Sequence, residues 1–510
     1  MVRKPRPVAV AQRHILGLSA QPGLRIGVAE TTKQARLGGP FMPPLGGSRG
    51  RVLAVGCYTQ HVPVVRRTER VLVVCGTECI LVVCVTEREL ERRTPADSPR
   101  AYLAADRPSR MELLSEDVVP EHAREVKREA REFADEHIAP NAEEYFRRGE
   151  YPWDVLEAGR EAGLVAEDIG EEWGGRGLGV AEMLAVAEEW FRADAGIALT
   201  LQLASFGAEI VEQYGTDDQR EEYLRPVAEG DQLTGLAVSE PDTGSDLTGM
   251  ETTAERSSAT SHSDDGDETA AEKDEETDEW VLNGEKYWIG NGVEADWLTV
   301  YARTGNSDDR YSNHSLFIVP TDAEGYDAEH IPEKMGMRAS KQAHVVFDDC
   351  RIPAENLVGH EGVGFMMLAE FFNFGRVVVA GHGLGLAAAA IEEAWAFVHD
   401  REEFGQTIAD FQAVQHGLAD MRLEFEAARA LAYRAAEKVE SGDNAGLWAA
   451  MAKTKATETA TDCAEQGMQF HGGRSILTDR RIARVYRDVR IPVIYEGANE
   501  IQRNLIYRQS

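Results

Sequence analysis

Cysteine is scarce in this chain and unevenly placed. Of six Cys in 510 residues, Cys350 and Cys463 lie far apart in the main part of the sequence. No disulfide framework follows from such spacing, so we expect a reducing, cytoplasmic location. The others fall in the first 110 residues without a C-x-x-C pair, and no HExxH or close Cys/His group occurs, so no metal site is predicted. They are Cys57, Cys75, Cys79 and Cys84.

Basic residues are also in short supply. The chain has 54 Lys and Arg against 88 Asp and Glu, a formal net charge of −34. Nucleic acid is not an expected partner, because phosphate binding needs clustered Lys and Arg. After residue 110 there are only 36 basic residues, 8 of them Lys, against 80 acidic ones. So acidic a surface is self-repelling at low salt and screened at molar salt. We therefore expect a salt-rich cytosol, the alternative being an ordinary acidic, soluble enzyme.

Long apolar runs are missing as well. The longest, residues 71–86, has 16 residues with Glu78 among them. A helix needs ~20 to cross a bilayer. Near the N-terminus, polar residues 12–14 interrupt any apolar region that follows the first basic residues. Neither a membrane span nor a cleaved signal peptide is therefore predicted.

Residues 1–110 differ from the rest of the chain. They carry 18 Lys and Arg against 8 Asp and Glu. Helical periodicity begins only after Met111, where apolar side chains step by four and three along one helix face from Val119 to Phe133. We interpret 1–110 as an extension outside the fold, favouring a start of translation at Met111 over a basic regulatory arm. A chain that begins at Met111 is expected to fold and function.

Three regions follow this extension. Residues 111–230 have a helical pattern, 231–351 have the alternating runs and turns of a β domain, and 352–510 are helical again. The regular stripe that starts at Val414 is typical of a helix in a bundle. Residues 256–279 hold ten acidic and two basic residues and no aromatic one. They are predicted to form a solvated insertion between two strands. The fold class is therefore mainly α with a β domain.

Several segments rich in Gly and polar side chains could contact a polar cofactor. They are AVSEPDTGSD (237–246), KYWIGNG (286–292), HDREEFG (399–405), QFHGGRS (469–475) and IYEGANEIQR (494–503). The first offers backbone N–H groups suited to anionic or amide-rich ligands. The second places a Trp before a turn, where it could cover a flat cofactor, although such a Trp is more often part of a core. No GxGxxG follows a strand, so a Rossmann site for NAD is not supported.

Taken together and in this order, these segments resemble the acyl-CoA dehydrogenase family from Met111 to Ser510. Four further segments add to the resemblance: EEWGGRGLG (171–179), YGTDDQREEYL (214–224), EKMGMRAS (333–340) and VFDDCRIPAENLVG (346–359). The resemblance implies an N-terminal helical domain, a middle β barrel and a C-terminal four-helix bundle, with FAD between the last two. It also implies an acyl-CoA substrate, an electron-transfer flavoprotein as acceptor, and a homotetramer, a dimer of dimers in which a neighbouring subunit completes each FAD site.

The resemblance also implies roles for individual residues. FAD contacts are implied at Val238, Ser239, Gly244, Ser245, Trp288, Ile289, Gly290, Arg401, Phe404, Gln412, Gln469, Gly473, Ala498 and Glu500. The set from Arg401 to Gly473 would hold the adenine and pyrophosphate across the dimer. Substrate contacts are implied at Ser245, Asn373, Arg376, Tyr495 and Gly497.

Glu496 in the YEG segment matches the family's catalytic base. In the family, this carboxylate takes the α-proton of a thioester while the β-hydrogen leaves as hydride to flavin N5. The thioester carbonyl accepts hydrogen bonds from a ribityl hydroxyl and from the backbone N–H of the base. The family's other base position, immediately before the pocket Arg, is Gly375 here, so Glu496 is the single candidate. A desolvated pocket should raise its pKa.

The sequence departs from the family at four positions. Gly290 stands where a Thr or Ser often hydrogen-bonds flavin N5, and Asn373 stands where an Asp is common near CoA. Ala498 and Ser475 replace a Thr and a Gly. An acyl-CoA oxidase or another member of the fold that uses oxygen is one alternative, and a catalytically idle relative that acts as a CoA-ester-binding or assembly protein is another. Retention of the base together with the pocket Arg argues against the idle relative.

Overall fold

The computed structural model describes residues 116–257 and 278–510, and five strands nearer the N-terminus. The strands are β1 (Arg25–Ala29), β2 (Val52–Gly56), β3 (Val64–Arg67), β4 (Arg70–Cys75) and β5 (Glu78–Val82). β1 pairs with β2, and β3, β4 and β5 form a second antiparallel sheet. These strands belong to a unit of Met1–Ser109, separate from Arg110–Ser510. The other residues of 1–110 lie outside the part of the chain that the structure describes. That this region is dispensable therefore stays a prediction.

The second unit opens with a helical domain. Its helices are α1 (Arg124–Phe133), α2 (Ala142–Arg148), α3 (Trp153–Glu161), α4 (Val180–Ala193), α5 (Ala195–Gln202), α6 (Ala208–Tyr214), α7 (Asp217–Gln219) and α8 (Arg225–Ala228). Helix α1 buries Val126, Ala130 and Phe133. These residues belong to the stripe seen in the sequence, because a step of three or four returns to the same helix face.

The β domain is one eight-stranded sheet. Its strands are β6 (Thr234–Ala237), β7 (Thr253–Ser257), β8 (Glu279–Gly290), β9 (Trp297–Arg303), β10 (His314–Pro320), β11 (Tyr326–His330), β12 (Gln342–Pro353) and β13 (Leu357–Val358). The order is β11-β12-β8-β7-β9-β10-β13, and β6 runs parallel to β9. In β8, Trp280 and Leu282 are buried and the residues between and beside them are more exposed. This is the period of two that a half-buried strand requires.

The predicted acidic insertion at 256–279 is too long at both ends. Ser257, which ends β7, pairs with Glu279, which begins β8. Arg256 Nε also donates to Asp278 Oδ1 at 2.8 Å across the same strand ends. Cross-strand pairing gives these polar residues hydrogen-bond and ion-pair partners. Composition alone does not reveal which residues pair. The residues between the two strands lie outside the part of the chain that the structure describes, so the solvated loop stays a prediction.

After β13 the chain is helical apart from a short hairpin. The helices are α9 (Gly364–Asp400), α10 (Gln412–Glu440), α11 (Ala445–His471), α12 (Arg481–Asp488) and α13 (Asn499–Gln509). The hairpin strands are β14 (Glu402–Glu403) and β15 (Gln406–Thr407). Helix α9 packs on α11 and α10 and on α4 of the N-terminal domain. The sheet continues to Val358, past the boundary predicted at 351, because β13 pairs with β10.

Helix α9 is the core helix of this arrangement. It has 37 residues and, alone among the described helices, is long and apolar enough by composition to cross a membrane. Within the protein, 89% of its most apolar window is buried. A helix that neighbours cover on several sides has no need of a polar face, which explains its composition.

A buried ionic cluster joins the helical domain to the bundle. Glu188 and Glu189 of α4 are fully buried. Lys127 of α1 contacts both carboxylates at 2.8 Å, and Arg429 of α10 contacts Glu188 at 2.8 Å. Removal of one partner from such a cluster leaves an uncompensated buried charge, at a cost of about 3–5 kcal/mol. The cluster therefore fixes α1, α4 and α10 relative to one another.

Candidate active site

The turn that carries Glu496 lies between α12 and α13 and has a left-handed backbone. Glu496 has a φ of 54° and Gly497 a φ of 84°. The φ of Gly497 favours glycine, and a Cβ atom there would lie 2.4 Å from Nε2 of Gln502 and would displace that amide. A non-glycine residue at positive φ is uncommon, and such strain is concentrated at functional sites. The contacts around the turn hold Glu496 in this conformation.

Two fully buried side chains hold the peptide groups that follow Glu496. Nε2 of Gln502 donates to the carbonyl oxygens of Glu496 at 3.1 Å and of Gly497 at 2.9 Å. Nζ of Lys453, on α11, donates to the Gly497 carbonyl at 3.0 Å and to Oδ1 of Asn499 at 2.8 Å. Because both peptide planes are fixed, the direction of the Glu496 side chain is restricted as well.

Glu496 itself presents a free donor and a free acceptor. Its backbone N–H has no hydrogen-bond acceptor among the described residues. Oε2 of its carboxyl is buried and also without a partner in that part of the chain. Buried polar groups are normally hydrogen-bonded. The pair therefore fits a bound molecule that carries both an acceptor and an acidic hydrogen.

Arg376 of α9 lies near the Glu496 carboxyl, and Asn373 is its hydrogen-bond partner on the same helix. Nη1 of Arg376 donates to Oδ1 of Asn373 at 3.2 Å, and the guanidinium lies 5.7 Å from the ring centroid of Phe372. Burial raises the pKa of Glu496 to about 7, although the charges of Arg376 and Lys453 act to lower it. The structure thus brings the predicted base together with two predicted substrate residues.

Tyr495 is anchored behind the base. Its hydroxyl oxygen lies 2.5 Å from Nδ1 of His382, whose Nε2 lies 2.6 Å from Oε1 of Gln202. An amide oxygen only accepts, so Nε2 carries the hydrogen and Nδ1 accepts the tyrosine hydroxyl. Burial lowers the pKa of His382 to about 3, and the charge of Lys453 acts in the same direction. The neutral imidazole therefore fixes the predicted substrate residue Tyr495.

Trp288 occupies a β-bulge at the end of β8. Ala343 pairs with Ile289 and His344 pairs with Tyr287, so Trp288 has no partner on β12. Its φ is 69°, and its side chain is 59% exposed. A bulge inserts one residue into a strand and redirects its side chain. The indole therefore stands free of the core, as the predicted contact with a flat cofactor requires.

The loop after β6 is held against the same strand. The backbone N–H of Tyr287 donates to the Ser239 carbonyl at 2.8 Å. Nζ of Lys286 donates to the Val238 carbonyl and to Oε1 of Glu240, each at 2.9 Å. Burial lowers the pKa of Lys286 to about 8. The predicted flavin-side loop thus lies beside the exposed indole.

The end of α5 joins the flavin-side strand to the base turn. Nδ2 of Asn291 donates to the Leu203 carbonyl at 2.7 Å. A Cβ atom on Gly290 would lie 2.7 Å from Cδ1 of Leu203, so this leucine fills the space of the missing Thr or Ser side chain. The adjacent Gln202 contacts His382, as described above. The described chain therefore assembles the base and the flavin-side strand around one place.

The residues expected to act across a dimer form a separate group. Gln412 begins α10, Gln469 is near the end of α11, and both are exposed, as are Phe404 and Gly473. Phe404 is 93% exposed at a φ of 53°, in the hairpin after Arg401. No hydrogen bond or ion pair of the described residues joins this group to Trp288 or Glu496. One subunit alone therefore does not bring the two groups together through such contacts.

The residues present fit a bound FAD. The exposed indole offers a flat apolar face, and a Cβ atom on Gly244 or Gly473 would meet nothing within 4 Å, which leaves room for a ligand. Ser245 is exposed in the loop that contains Gly244. Ala498 and Glu500 begin α13, directly after the base turn.

Sequence reasoning missed four residues that shape this site: Lys286, His382, Lys453 and Gln502. Lys453 could have been found, because it stands on an alanine stripe of α11 where steps of four and three run from Ala449 to Ala460. A lysine on such a buried stripe needs partners. His382 and Gln502 follow no comparable pattern, because their partners are distant in sequence.

Three family models match this chain in order. The N-terminal domain of acyl-CoA dehydrogenase matches residues 120–231, the middle domain 235–350 and the C-terminal domain 362–510. Together they span most of the second unit.

Individual relatives agree with these matches. The mitochondrial short-chain specific acyl-CoA dehydrogenase of Rattus norvegicus is 34% identical over 390 residues, 76% of this chain and 90% of that protein. Butyryl-CoA dehydrogenase from Megasphaera elsdenii is 31% identical with a TM-score of 0.69, over 76% of this chain and 98% of that one. A chain solved in work on the electron transferring flavoprotein of Acidaminococcus fermentans is 34% identical with a TM-score of 0.70, over the same shares of both chains.

Proposed function

This chain belongs to the acyl-CoA dehydrogenase family, FAD-dependent oxidoreductases acting on CH–CH groups, and we propose that Glu496 is its catalytic base. The observation that carries this proposal is the free carboxyl oxygen of Glu496, buried beside Arg376. Removal of an α-proton from a thioester requires a positioned base and stabilisation of the developing oxyanion. Glu496 offers both, the first through its carboxylate and the second through its unpaired backbone N–H.

The proton affinity of Glu496 suits this role. Burial raises its pKa to about 7. A general base is most effective when its pKa lies near the working pH, because about half of it is then ionised and the ionised form is still a strong proton acceptor. The guanidinium of Arg376 favours the charged form of Glu496, so that part of the carboxyl stays ionised at neutral pH.

FAD would be held by the loop after β6, the Trp288 bulge and the start of α13. When bound, it would supply flavin N5, which accepts the β-hydrogen as a hydride. The chain's own contribution is to fix these elements. Lys286 holds the loop against β8, and Asn291, directly after β8, donates to the Leu203 carbonyl at the end of α5. The product of the reaction would be the trans-2-enoyl-CoA.

We propose a short-chain acyl-CoA as the substrate. The similarity to the short-chain enzyme of Rattus norvegicus and to butyryl-CoA dehydrogenase supports this choice. The family resemblance places Asn373 and Arg376 at the substrate, and the two side chains are hydrogen-bonded to each other. Behind Tyr495, the ring of His382 is stacked on Phe191, with ring centroids 3.9 Å apart.

For the oxidant, we propose an electron-transfer flavoprotein. The likeness to a chain from the Acidaminococcus fermentans work supports this partner. Direct use of oxygen, as in an acyl-CoA oxidase, is the competing function. An oxygen electrode distinguishes the two, because a dehydrogenase consumes little oxygen while it reduces an added flavoprotein acceptor.

We further propose a cytoplasmic homotetramer that works in high salt. The exposed group of Phe404, Gln412 and Gln469 supports an assembly in which a neighbouring subunit covers it. Phe404 is 93% exposed within this group. The acidic balance of the chain supports salt tolerance. Sedimentation of the purified protein in dilute and in molar salt tests both parts.

The experiment for the dehydrogenase activity is anaerobic bleaching of the flavin absorbance. Butyryl-CoA, longer straight-chain acyl-CoAs and branched acyl-CoAs are added in turn to the purified holoenzyme. The proposal expects complete bleaching by a short acyl-CoA and none with the Glu496→Gln protein on the same timescale. Bleaching by none of these esters would favour the idle, CoA-ester-binding relative.

A further inference from the structure

Lysine is used sparingly in this chain, and its placement is selective. Of the seven lysines described between residues 116 and 510, Lys127, Lys286 and Lys453 are at most 1% exposed. Lys127 and Lys286 contact carboxylates at 2.8 to 2.9 Å. Lys453 differs, because its hydrogen bonds go to a backbone carbonyl and an amide oxygen.

The amino group of Lys453 is therefore buried without an ion pair at contact distance among the described residues. Isolated buried charges are costly, and a lysine commonly loses its proton in such a place. Burial indeed lowers the pKa of Lys453 to about 7, while the carboxylate of Glu496 acts to raise it. The nearest compensation thus comes from the base of the proposed reaction.

We propose that Lys453 is a positioning residue for that base: it holds the peptide after Gly497 and places a positive charge behind the Glu496 carboxyl without touching the substrate. This inference rests on the function proposed above. Its first part follows from two hydrogen bonds, of 3.0 Å to the Gly497 carbonyl and 2.8 Å to Asn499. Asn499 is held in turn by Thr457, whose Oγ1 accepts from Nδ2 at 3.1 Å.

The second part is electrostatic. The charged and titratable groups around Lys453 and the Glu496 carboxyl come from α9, α11, α13 and the base turn itself: Arg376, His382, Glu458, Tyr495 and Glu500. Arg376 and Lys453 supply the positive charge that lowers the pKa of Glu496 against the larger effect of burial. Arg376 lies on the proposed substrate side, whereas Lys453 lies beneath the turn.

Three substitutions separate the two parts. Lys453→Met removes the charge and the donors, Lys453→Gln keeps an N–H donor without the charge, and Lys453→Arg keeps the charge. Lys455 is the matched control, because it lies on the same helix but is partly exposed and paired with Glu424. Lys455→Met removes a lysine from α11 without disturbing the base turn.

Two measurements are made on each FAD-loaded protein. The first is the pH dependence of kcat/KM for the best acyl-CoA, which reports the base in the free enzyme. The second is independent of turnover: the infrared absorbance of protonated carboxyl groups is followed against pH, and the Glu496 signal is identified as the difference from Glu496→Gln.

We expect the Glu496 titration to move upward by about one pH unit in Lys453→Met and Lys453→Gln, since a lost cation disfavours the carboxylate. Lys453→Arg and Lys455→Met should titrate as the unchanged enzyme. The plateau of kcat should fall about tenfold more in Lys453→Met than in Lys453→Gln, because only the former frees the turn.

An unshifted titration in both Lys453→Met and Lys453→Gln would overturn the inference, whatever their stability. If Lys453→Met is recovered without FAD, the Lys453→Gln titration decides. The proposed function fails on a different result. If the Glu496→Gln enzyme still bleaches its flavin at the full rate, Glu496 is not the base. The infrared shift would still report whether Lys453 controls the pKa of the Glu496 carboxyl.

Discussion

A Cβ atom on Gly375 would lie 3.0 Å from Oε2 of Glu496. The glycine belongs to α9 and the glutamate to the turn before α13, so two positions that meet in space are separated by 120 residues of sequence. A carboxylate carried by either position could reach the same substrate atom. The absence of a side chain at Gly375 leaves this space to Glu496.

Glu496→Gln should abolish most of the activity while FAD content stays normal. The amide keeps the size of the side chain but cannot accept the proton. Loss of a positioned base typically costs about 10²–10⁴ in rate. Stopped-flow bleaching with the best acyl-CoA measures the rate of flavin reduction in the variant. A wild-type rate would show that another group removes the proton.

Adding Gly375→Glu to Glu496→Gln should restore about tenfold of the lost rate, because a carboxylate returns to the same space. The matched control is Gly375→Gln in the same background, which has the same crowding and no base. Equal rates for the two double variants would mean that position 375 cannot deliver a carboxylate to the substrate.

Gly290→Thr should destabilise the protein through Leu203. Its Cβ would lie 2.7 Å from Cδ1 of that leucine. Overpacking of this kind typically costs about 1–3 kcal/mol. Leu203→Ala in the same protein should recover at least half of the loss. Urea unfolding of the two single variants and the double variant gives the coupling energy, and strict additivity would argue against direct contact.

The pH dependence of kcat/KM should follow the ionisation of Glu496. Its pKa is raised to about 7 by burial, and only the carboxylate accepts a proton. The rate should therefore rise about tenfold per pH unit below pH 7 and level off above it. A rate that is flat between pH 5.5 and 8 would contradict the assignment. Ionic strength is held constant so that screening does not change with pH.

His382→Gln should reduce the loss of stability in mild acid. Burial lowers the pKa of His382 to about 3, whereas an imidazole in the unfolded chain titrates near 6.5. As the pH falls through 6.5, the unfolded state gains a proton that the folded state does not, so folding is weakened. The effect is about 1 kcal/mol between pH 7.5 and 5.5. Urea unfolding at both pH values tests it, with the exposed His416→Gln as control.

Replacement of residues 258–277 by a short Gly/Ser turn should leave kcat/KM within about a factor of two, because shortening a surface connection changes closure entropy little. Ser257 and Glu279 are already paired across β7 and β8. Arg256→Ala in the shortened chain is the companion variant, because it removes the ion pair with Asp278 at the strand ends. A large fall in activity in the shortened chain alone would show that the acidic segment contacts substrate or a partner.

Local patterns in the sequence predicted several of the helices and strands. The stripe from Val119 to Phe133 predicts α1, and the stripe from Val414 predicts α10, because helix periodicity depends only on neighbours along the chain. The family resemblance extended this to the order of domains and to FAD, which the family matches confirm. The ends of the acidic insertion were misjudged, because composition does not register which strand residues pair.

By itself, the sequence determined the elements, their order and the presence of Glu496 beside a glycine. Only the tertiary structure decided that Lys453 lies beneath that glutamate, that His382 anchors Tyr495, and that Trp288 is turned out by a bulge. These relationships depend on register and packing between distant segments. A single sequence encodes them only through the sum of all its contacts, because no local repeat or propensity brings α9, α11 and the base turn together.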